Sequence, residues 1–281
     1  MTARTKQCAA AAAALACFLF PARASFASPD PMPRGEHPES EIHITGNIDS
    51  GMEQKVHGIV AQGKIHTLRI TSFSGNTASA LAIARDVARN NMTVIVEGGC
   101  AGPCANYIFL AAAIRQVLPK SIVVFTGSIT SEMAMLPSEK TTSLADDYFQ
   151  LADEEKNLMA DARLKPDLLL QPQAMLQTQC VTLLPRANTV GKSDIGFIAT
   201  FKGWVPSRAF LKKAGVKVDG YWPAKIPEFQ TAVKEALPKG VSGQFTLMGP
   251  DAPSPPDLLR KALRAVKPCD AKQLDQLHGQ H

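Results

Sequence analysis

The residues with the greatest chemical potential lie in one short turn. Cys100 and Cys104 bracket Gly102-Pro103 in the stretch Cys-Ala-Gly-Pro-Cys. The β-branched run Thr93–Val96 before the turn is typical of a buried strand, and the apolar run after it favours a helix. A strand, a tight turn and a helix commonly hold a nucleophile, but glycine has no side chain and proline has no backbone N–H. The turn therefore has the position of a nucleophile without its chemistry.

The two cysteines are open to a structural or a reactive interpretation. Their C-x3-C spacing differs from the C-x2-C of thioredoxin-like redox motifs, and no histidine lies nearby in the sequence. A thiolate nucleophile needs a lowered pKa, which a helix N-terminus can give to Cys104. We favour a structural disulfide and keep two alternatives open, namely unreactive thiols and Cys104 as an alternative nucleophile.

The remaining groups that carry chemistry form no recognisable motif. The six histidines show no metal-ligand spacing, so we expect no metal site. Gly98-Gly99 lacks the Gly-Lys-Ser/Thr of a phosphate loop, and nothing in the sequence predicts a cofactor. An acidic run is expected to face solvent; it comprises Asp146, Asp147, Asp153, Glu154 and Glu155.

The first 27 residues have the pattern of a secretory signal peptide. Arg4 and Lys6 precede the apolar run Cys8–Phe20, which is too short to span a membrane, and small residues offer cleavage near Ala24 or Ala27. Cleavage removes three basic residues and no acidic one, so the formal net charge falls from +5 to +2. That charge is too small to suggest binding to nucleic acid or to a membrane surface. We expect a periplasmic or secreted protein without a membrane span after signal removal.

Export also bears on the cysteines that remain after cleavage. These are Cys100, Cys104, Cys180 and Cys269, an even number in an oxidising compartment. Four cysteines allow three pairings, of which we favour Cys100–Cys104 with Cys180–Cys269.

The elements that position the turn alternate along the chain. The hydrophobic pattern predicts strands over 42–44, 67–72, 93–96 and 121–125, with helices over 52–62, 78–89 and 106–115. This alternation builds parallel sheets. A long charged helix is predicted over 142–164. After residue 171 the sequence has no clear periodicity, except for one last amphipathic helix that is predicted within 251–267. We divide the chain into a signal peptide (1–27), a loose lead-in (28–41), an α/β domain (42–200) and a C-terminal extension (201–281).

With the alternation in place, residues 42–128 resemble the ClpP/crotonase superfamily, and more closely the exported ClpP-like proteins of bacteria. Those proteins carry a Ser-Gly-Gly turn before the first long helix, then C-x-S-S-C-A-N-Y-I-F after a strand, and later a strand ending in W-H-G-S. The corresponding segments here are Ser74-Gly75-Asn76, Cys100–Phe109 and Val124–Ser128. The resemblance implies an α/β fold of repeated ββα units, with a mainly parallel sheet flanked by helices and a C-terminal extension.

The resemblance also assigns a role to each altered position. The serine nucleophile of ClpP-like peptidases falls on Gly102, and the histidine base falls on Thr126, whose hydroxyl is no general base near neutral pH. The oxyanion donor after the serine falls on Pro103, which has no N–H. The residual oxyanion turn, Ser74-Gly75-Asn76, departs less from the family pattern. The third triad member has no assignable position. The resemblance therefore implies a degenerate catalytic site.

Three functions follow from this pattern. The first is a non-catalytic peptide-binding, protein-binding or scaffold protein, whose partners are extended peptides or another exported protein, and for which the family suggests a homo-oligomer. The second is a divergent, peptidase-like hydrolase that uses Cys104, Ser74 or Ser128 near the same cleft. The third is a crotonase-type acyl-CoA enzyme, against which export argues because CoA thioesters are cytosolic.

Overall fold

The computed structural model describes residues 40–187, 189–237, 246–249 and 256–278. The predicted signal peptide and nearly all of the lead-in lie outside the described residues. Within the described ranges, no helix combines the length and the apolar character needed to cross a membrane.

A parallel sheet forms the centre of the fold, with neighbouring strands in the order β1-β2-β3-β4-β9 and β5 paired to β3. Its strands are β1 (Glu41–Thr45), β2 (Thr67–Ser72), β3 (Thr93–Ala101), β4 (Ile114–Val117), β5 (Ile122–Val124) and β9 (Asp219–Gly220). Strand β3 is long enough to have two partners on one side, because Thr93–Val96 pairs with β4 and Gly99–Ala101 pairs with β5. The predicted α/β class with a mainly parallel sheet flanked by helices is confirmed.

Helices connect these strands and cover the sheet. In the first half they are α1 (Ser50–Val60), α2 (Thr77–Arg89), a π-helix (Cys104–Phe109), α3 (Ile129–Met133) and α4 (Asp146–Asp161), with a 3₁₀-helix at Ser138–Ser143. Asn76 fixes the start of α2, since its side-chain oxygen accepts from the N–H of Ser79 at 3.1 Å. The apolar side chains that α2 and the strands contribute to the core, such as Leu81 and Val94, are completely or almost completely buried.

The predicted helix over 106–115 is too long. Helical structure ends at residue 111, and Arg115 lies in β4. The buried guanidinium of Arg115 turns back and donates to the carbonyls of Phe109 and Leu110, so it caps the helix that precedes its own strand. Burial lowers the pKa of Arg115 to about 10.

The predicted helix over 142–164 starts too early. Helix α4 begins at Asp146, because the backbone just before it pairs with another part of the chain. Leu144 forms a bridge with Ser193, and the N–H of Ala145 donates to the carbonyl of Ser193 at 3.1 Å. A long-range pairing of this kind has no local signal.

The second half contains structure that periodicity did not predict. Strands β6 (Thr178–Pro185) and β7 (Ser193–Ala199) form an antiparallel pair, and β11 (Lys267–Pro268) joins β6 in parallel. Strands β8 (Gly203–Trp204) and β10 (Leu247–Met248) pair with each other. The remaining helices are a 3₁₀-helix at Pro166–Leu169, α5 (Leu170–Met175), α6 (Arg208–Lys213), α7 (Ile226–Ala236), α8 (Pro256–Arg264) and α9 (Ala271–His278). Helix α8 matches the last predicted helix, whereas α9 was not predicted.

Several contacts tie the predicted C-terminal extension to the α/β domain, and one of them is the pairing of β11 with β6. Strand β9 extends the main sheet through Gln116–Asp219 pairing. Trp204, which is fully buried, exchanges two backbone hydrogen bonds of 2.8 Å with Phe125 at the end of β5. The extension thus lies beside the segment that contains Thr126.

Candidate functional site

The turn after β3 brings together the two positions that the resemblance assigned to nucleophile and base. Gly102 has φ +58°, the left-handed conformation that glycine adopts readily, and its N–H donates to the carbonyl of Val124 at 3.0 Å. A Cβ atom on Gly102 would lie 3.6 Å from the hydroxyl oxygen of Thr126. The two positions therefore face each other, although neither side chain can act as nucleophile or base.

Asn106 holds the Thr126 segment in place. Its side-chain amide donates to the carbonyl of Gly127 at 2.9 Å and to that of Thr126 at 3.3 Å. Its side-chain oxygen accepts from the N–H of Thr126, also at 3.3 Å. Asn106 belongs to the π-helix, a rare element that is frequent at functional sites, and it is almost fully buried. The Cys-Ala-Asn motif thus fixes the wall opposite Gly102.

The glycine turn also keeps a defined geometry. A Cβ on Gly75 would lie 2.5 Å from the Cβ of Ile48, so the close approach requires glycine. The N–H of Asn76 donates to the carbonyl of Ile48 at 2.7 Å, and the Asn76 side chain caps α2. The backbone N–H and the side-chain oxygen of Asn76 are thus both hydrogen-bonded. Ser74 is exposed. Pro103, the residue after Gly102, offers no N–H.

The cysteine pairing predicted from the sequence is confirmed. Cys100 pairs with Cys104 at a Cα–Cα distance of 5.3 Å, and Cys180 pairs with Cys269 at 4.8 Å. The first disulfide joins the end of β3 to the start of the π-helix across Gly102. Since Cys104 is fully buried and its sulfur is bonded, it acts as a nucleophile only if the disulfide is first reduced.

The prediction that the acidic run faces solvent is wrong for Glu155. Its residue surface is 3% exposed, and it accepts hydrogen bonds of 3.0 Å from the hydroxyls of Tyr107 and Ser128. Burial raises the pKa of Glu155 in spite of these donors, and burial together with the charge of Glu155 raises the pKa of Tyr107. Glu155 was detectable in the sequence, because it lies on the helical stripe between Leu151 and Leu158.

A second carboxyl, Glu132, lies beside Gly127, one residue after Thr126. Its Oε1 is 3.4 Å from the point that a Cβ on Gly127 would occupy. Burial of the carboxyl, and then the charge of Glu155, raise the pKa of Glu132 to about 8. The oxygen of Gln173 lies even closer to that point, at 1.8 Å, so a larger residue at 127 would displace it. No sequence motif indicated Glu132 or Gln173.

Ser128, one of the alternative nucleophiles, has a structural role beside Glu155. It caps α3, exchanges hydrogen bonds with Ser131 and donates to Glu155. Only 2% of its surface is exposed. A substrate carbonyl therefore has no direct path to its hydroxyl in this conformation.

Within the described ranges, no group of three or more His, Cys, Asp or Glu residues is placed to hold a metal ion. Glu132 and Glu155 together supply only two carboxylates as ligands.

Comparisons with known proteins give distant neighbours. The chain matches no protein-family model and no curated protein. Among solved structures, ClpP1 from Listeria monocytogenes matches with a TM-score of 0.34 and 17% identity, over 44% of this chain and 72% of that one. A mutant of the same ClpP1 matches with a TM-score of 0.34, 18% identity and the same coverage.

Proposed function

We propose that this chain is a non-catalytic member of the exported ClpP-like proteins and that it binds extended peptides or another exported protein. The observation that carries the proposal is the placement of Gly102 against Thr126. The positions that would hold a nucleophile and its base are adjacent, but neither residue supplies the chemistry. Pro103 also lacks the oxyanion N–H, whose loss alone costs about 10²–10³ in rate.

The free edges of the sheet limit how a peptide binds. Strand addition needs unpaired main-chain groups. The backbone of Phe125 is already hydrogen-bonded to that of Trp204, and the carbonyls of Thr126 and Gly127 already accept from Asn106. The edge strands of the main sheet are β1 and β9, of which β1 is the longer; the peptide therefore adds along β1 or replaces the short strand β8. Neither mode uses the turn at Gly102 for chemistry.

Binding without turnover is the test of this function. Labelled extended peptides should bind saturably in fluorescence anisotropy, while mass spectrometry of the same mixtures shows no cleavage. Hydrogen exchange should slow in β1 or in the segment around Gly203 when peptide is bound. Turnover of the peptides, or the absence of saturable binding across a broad peptide set, would contradict the proposal.

Location and assembly are part of the same proposal. Two disulfides fit an oxidising compartment and support a periplasmic or secreted protein. The N-terminal residue of the mature protein, read by mass spectrometry, should follow Ala24 or Ala27. Self-association rests on the family resemblance, and light scattering of the purified protein measures it directly.

A divergent hydrolase is the second candidate. The observation in its favour is the 3.0 Å hydrogen bond from the Ser128 hydroxyl to the buried carboxylate of Glu155, which pairs an alcohol with a base. This candidate predicts peptide turnover that Ser128→Ala abolishes. Turnover that survives in Ser128→Ala but is lost in Ser74→Ala would move the nucleophile to the exposed glycine turn.

A further inference from the structure

The small net charge of the mature chain hides an uneven distribution of charge. Residues 196–218 contain five basic residues and no acidic one. Four of the five lie on helix α6 or shortly after it, and all four are exposed; they are Arg208, Lys212, Lys213 and Lys217. The apolar residues between them are buried in the core, namely Leu211, Ala214 and Val216. The segment is therefore anchored by its apolar side chains, and its cations lie at the surface.

A second basic segment packs against the first. Gly215 lies in contact with the link that follows α4, because a Cβ atom on Gly215 would be 3.6 Å from the carbonyl oxygen of Arg163. Arg163 and Lys165 on this link are both exposed. The contact joins two distant stretches of the chain into one surface. We call this surface the basic patch; it comprises Arg163, Lys165, Arg208, Lys212, Lys213 and Lys217.

The charge of the basic patch is only partly compensated. Among the described residues, none of its six side chains forms an ion pair. The same two stretches contain three acidic residues, of which Asp167 is paired with Arg260 at 3.0 Å. The other two are Asp161 and Asp219, so the local charge is +4, whereas the whole mature chain carries only +2. The rest of the mature chain is therefore slightly negative, and its positive potential is concentrated on one surface.

We propose that the basic patch binds the surface of a lipid bilayer that carries anionic headgroups. Clusters of about four to eight lysines and arginines are attracted to such surfaces. Four of the six cations here are lysines, whose ammonium groups are point charges on flexible stems and suit a mobile array of phosphates. The inference goes beyond the proposed function and does not depend on it, since the patch shares no residue with β1 or β8.

The packing around the patch favours lipid over nucleic acid. The aromatic residue of α6, Phe210, packs against the buried ring of Trp204 with 4.9 Å between the ring centroids, so it is not free to stack on bases. Arg208 donates to the carbonyls of Val218 and Gly220, so it contributes charge rather than a free fork for a single anion. Because the apolar residues of the segment are buried, the attachment is electrostatic and is screened by salt.

Vesicles of defined charge test the proposal. We would sediment the mature protein with phosphatidylcholine vesicles that contain either no phosphatidylglycerol or about one third of it, at about 0.05 M and about 0.5 M NaCl. The protein should bind the anionic vesicles at low salt and neither kind of vesicle at high salt. The combined variant Lys212→Gln, Lys213→Gln, Lys217→Gln should bind about 100-fold more weakly, or about fivefold for each lysine.

A second triple variant separates the patch from the net charge. Lys55→Gln, Lys64→Gln and Lys140→Gln remove the same charge at exposed positions outside the patch, and this protein should bind like the wild type. These lysines and the three in the patch make no ion pair within the described ranges, so both variants should keep the wild-type Tm.

Three results would overturn the proposal. The first is a wild-type protein that does not bind anionic vesicles at low salt. The second is equal weakening of vesicle binding in the two triple variants, since net charge alone would then govern adsorption. The third is binding of polyaspartate or single-stranded DNA that needs the patch lysines in a protein that ignores vesicles, which would assign the patch to a soluble acidic partner. Peptide binding is measured separately, so its failure would refute the proposed function and leave the vesicle result standing.

Discussion

The hydroxyl oxygen of Thr126 lies 3.6 Å from the point that a Cβ atom on Gly102 would occupy. The two positions to which the resemblance assigns a nucleophile and its base therefore lie next to each other, and the residues present there supply neither group. The turn that carries Gly102 is held by the Cys100–Cys104 disulfide, and the opposite wall is held by Asn106. The backbone on both sides of this pair is therefore fixed, by a disulfide on one side and by hydrogen bonds on the other.

The turn should accept a serine with little loss of stability. We expect Gly102→Ser to lower the free energy of unfolding by about 1–2 kcal/mol, because a non-glycine residue must adopt φ +58°. The space around the new Cβ is open enough, with Thr126 as its nearest neighbour. Urea unfolding measures the change. Gly63→Ser, at φ +72° with nothing near its Cβ, is the matched control and should lose the same amount. A much larger loss at 102 would contradict the described geometry.

Asn106 should be essential for the wall of the site. We expect Asn106→Ala to lower the free energy of unfolding by about 3 kcal/mol, because the carbonyls of Thr126 and Gly127 lose their donor. Asn157→Ala, at an exposed position on α4, should change it by about 0.5 kcal/mol or less. Denaturant titration of both variants gives the comparison, and equal stability would show that the Asn106 bonds do not hold the wall.

The two disulfides should differ in their contribution to stability. Cys180 and Cys269 are separated by 89 residues, Cys100 and Cys104 by only 4. Loop entropy predicts a loss of about 4–5 kcal/mol for the double alanine variant of the long loop and about 2 kcal/mol for that of the short loop. Guanidinium unfolding of the two double variants tests this order. A larger loss for the short loop would mean that the Cys100–Cys104 bond stabilises the native turn directly.

Glu132 should make the stability depend on pH. Its pKa is raised from 4.5 to about 8, so the folded state holds the proton more tightly than the unfolded state. Protonation of Glu132 therefore stabilises the folded state; this contribution is fully present below about pH 4.5 and is lost as the pH rises through about 8. Glu132→Gln, which stays neutral, should therefore gain a few kcal/mol relative to wild type between pH 5 and pH 9. Thermal unfolding across this range measures the gain, and a difference that stays constant with pH would refute it.

Local patterns predicted much of the first half of the fold. The alternation of strands and helices up to β3 follows from side-chain periodicity, and the C-A-N-Y-I-F block located the turn. The pairing of the cysteines, one of the three that four cysteines allow, was predicted correctly. The juxtaposition of Gly102 and Thr126 depended on recognising both motif segments, which are 24 residues apart in the sequence.

Long-range contacts account for what the sequence did not reveal. The start of α4 depends on pairing with Ser193, and the end of the π-helix depends on the side chain of Arg115. The acidic run predicts a solvated position for Glu155, whereas its place on the apolar stripe of α4 indicates a buried one. Glu132 and Gln173 meet only because α3 and α5 pack beside Gly127, and no local pattern predicts such a meeting.

The central claim is that this protein binds peptides without cleaving them. The most direct test is incubation of a peptide library with the protein lacking residues 1–27, read by mass spectrometry, with the variant Gly102→Ser, Pro103→Ser, Thr126→His in parallel. We predict no cleavage by the natural sequence, and cleavage by the triple variant would support the placement of the site. Cleavage by the natural sequence that disappears in Ser128→Ala or Ser74→Ala would contradict the claim.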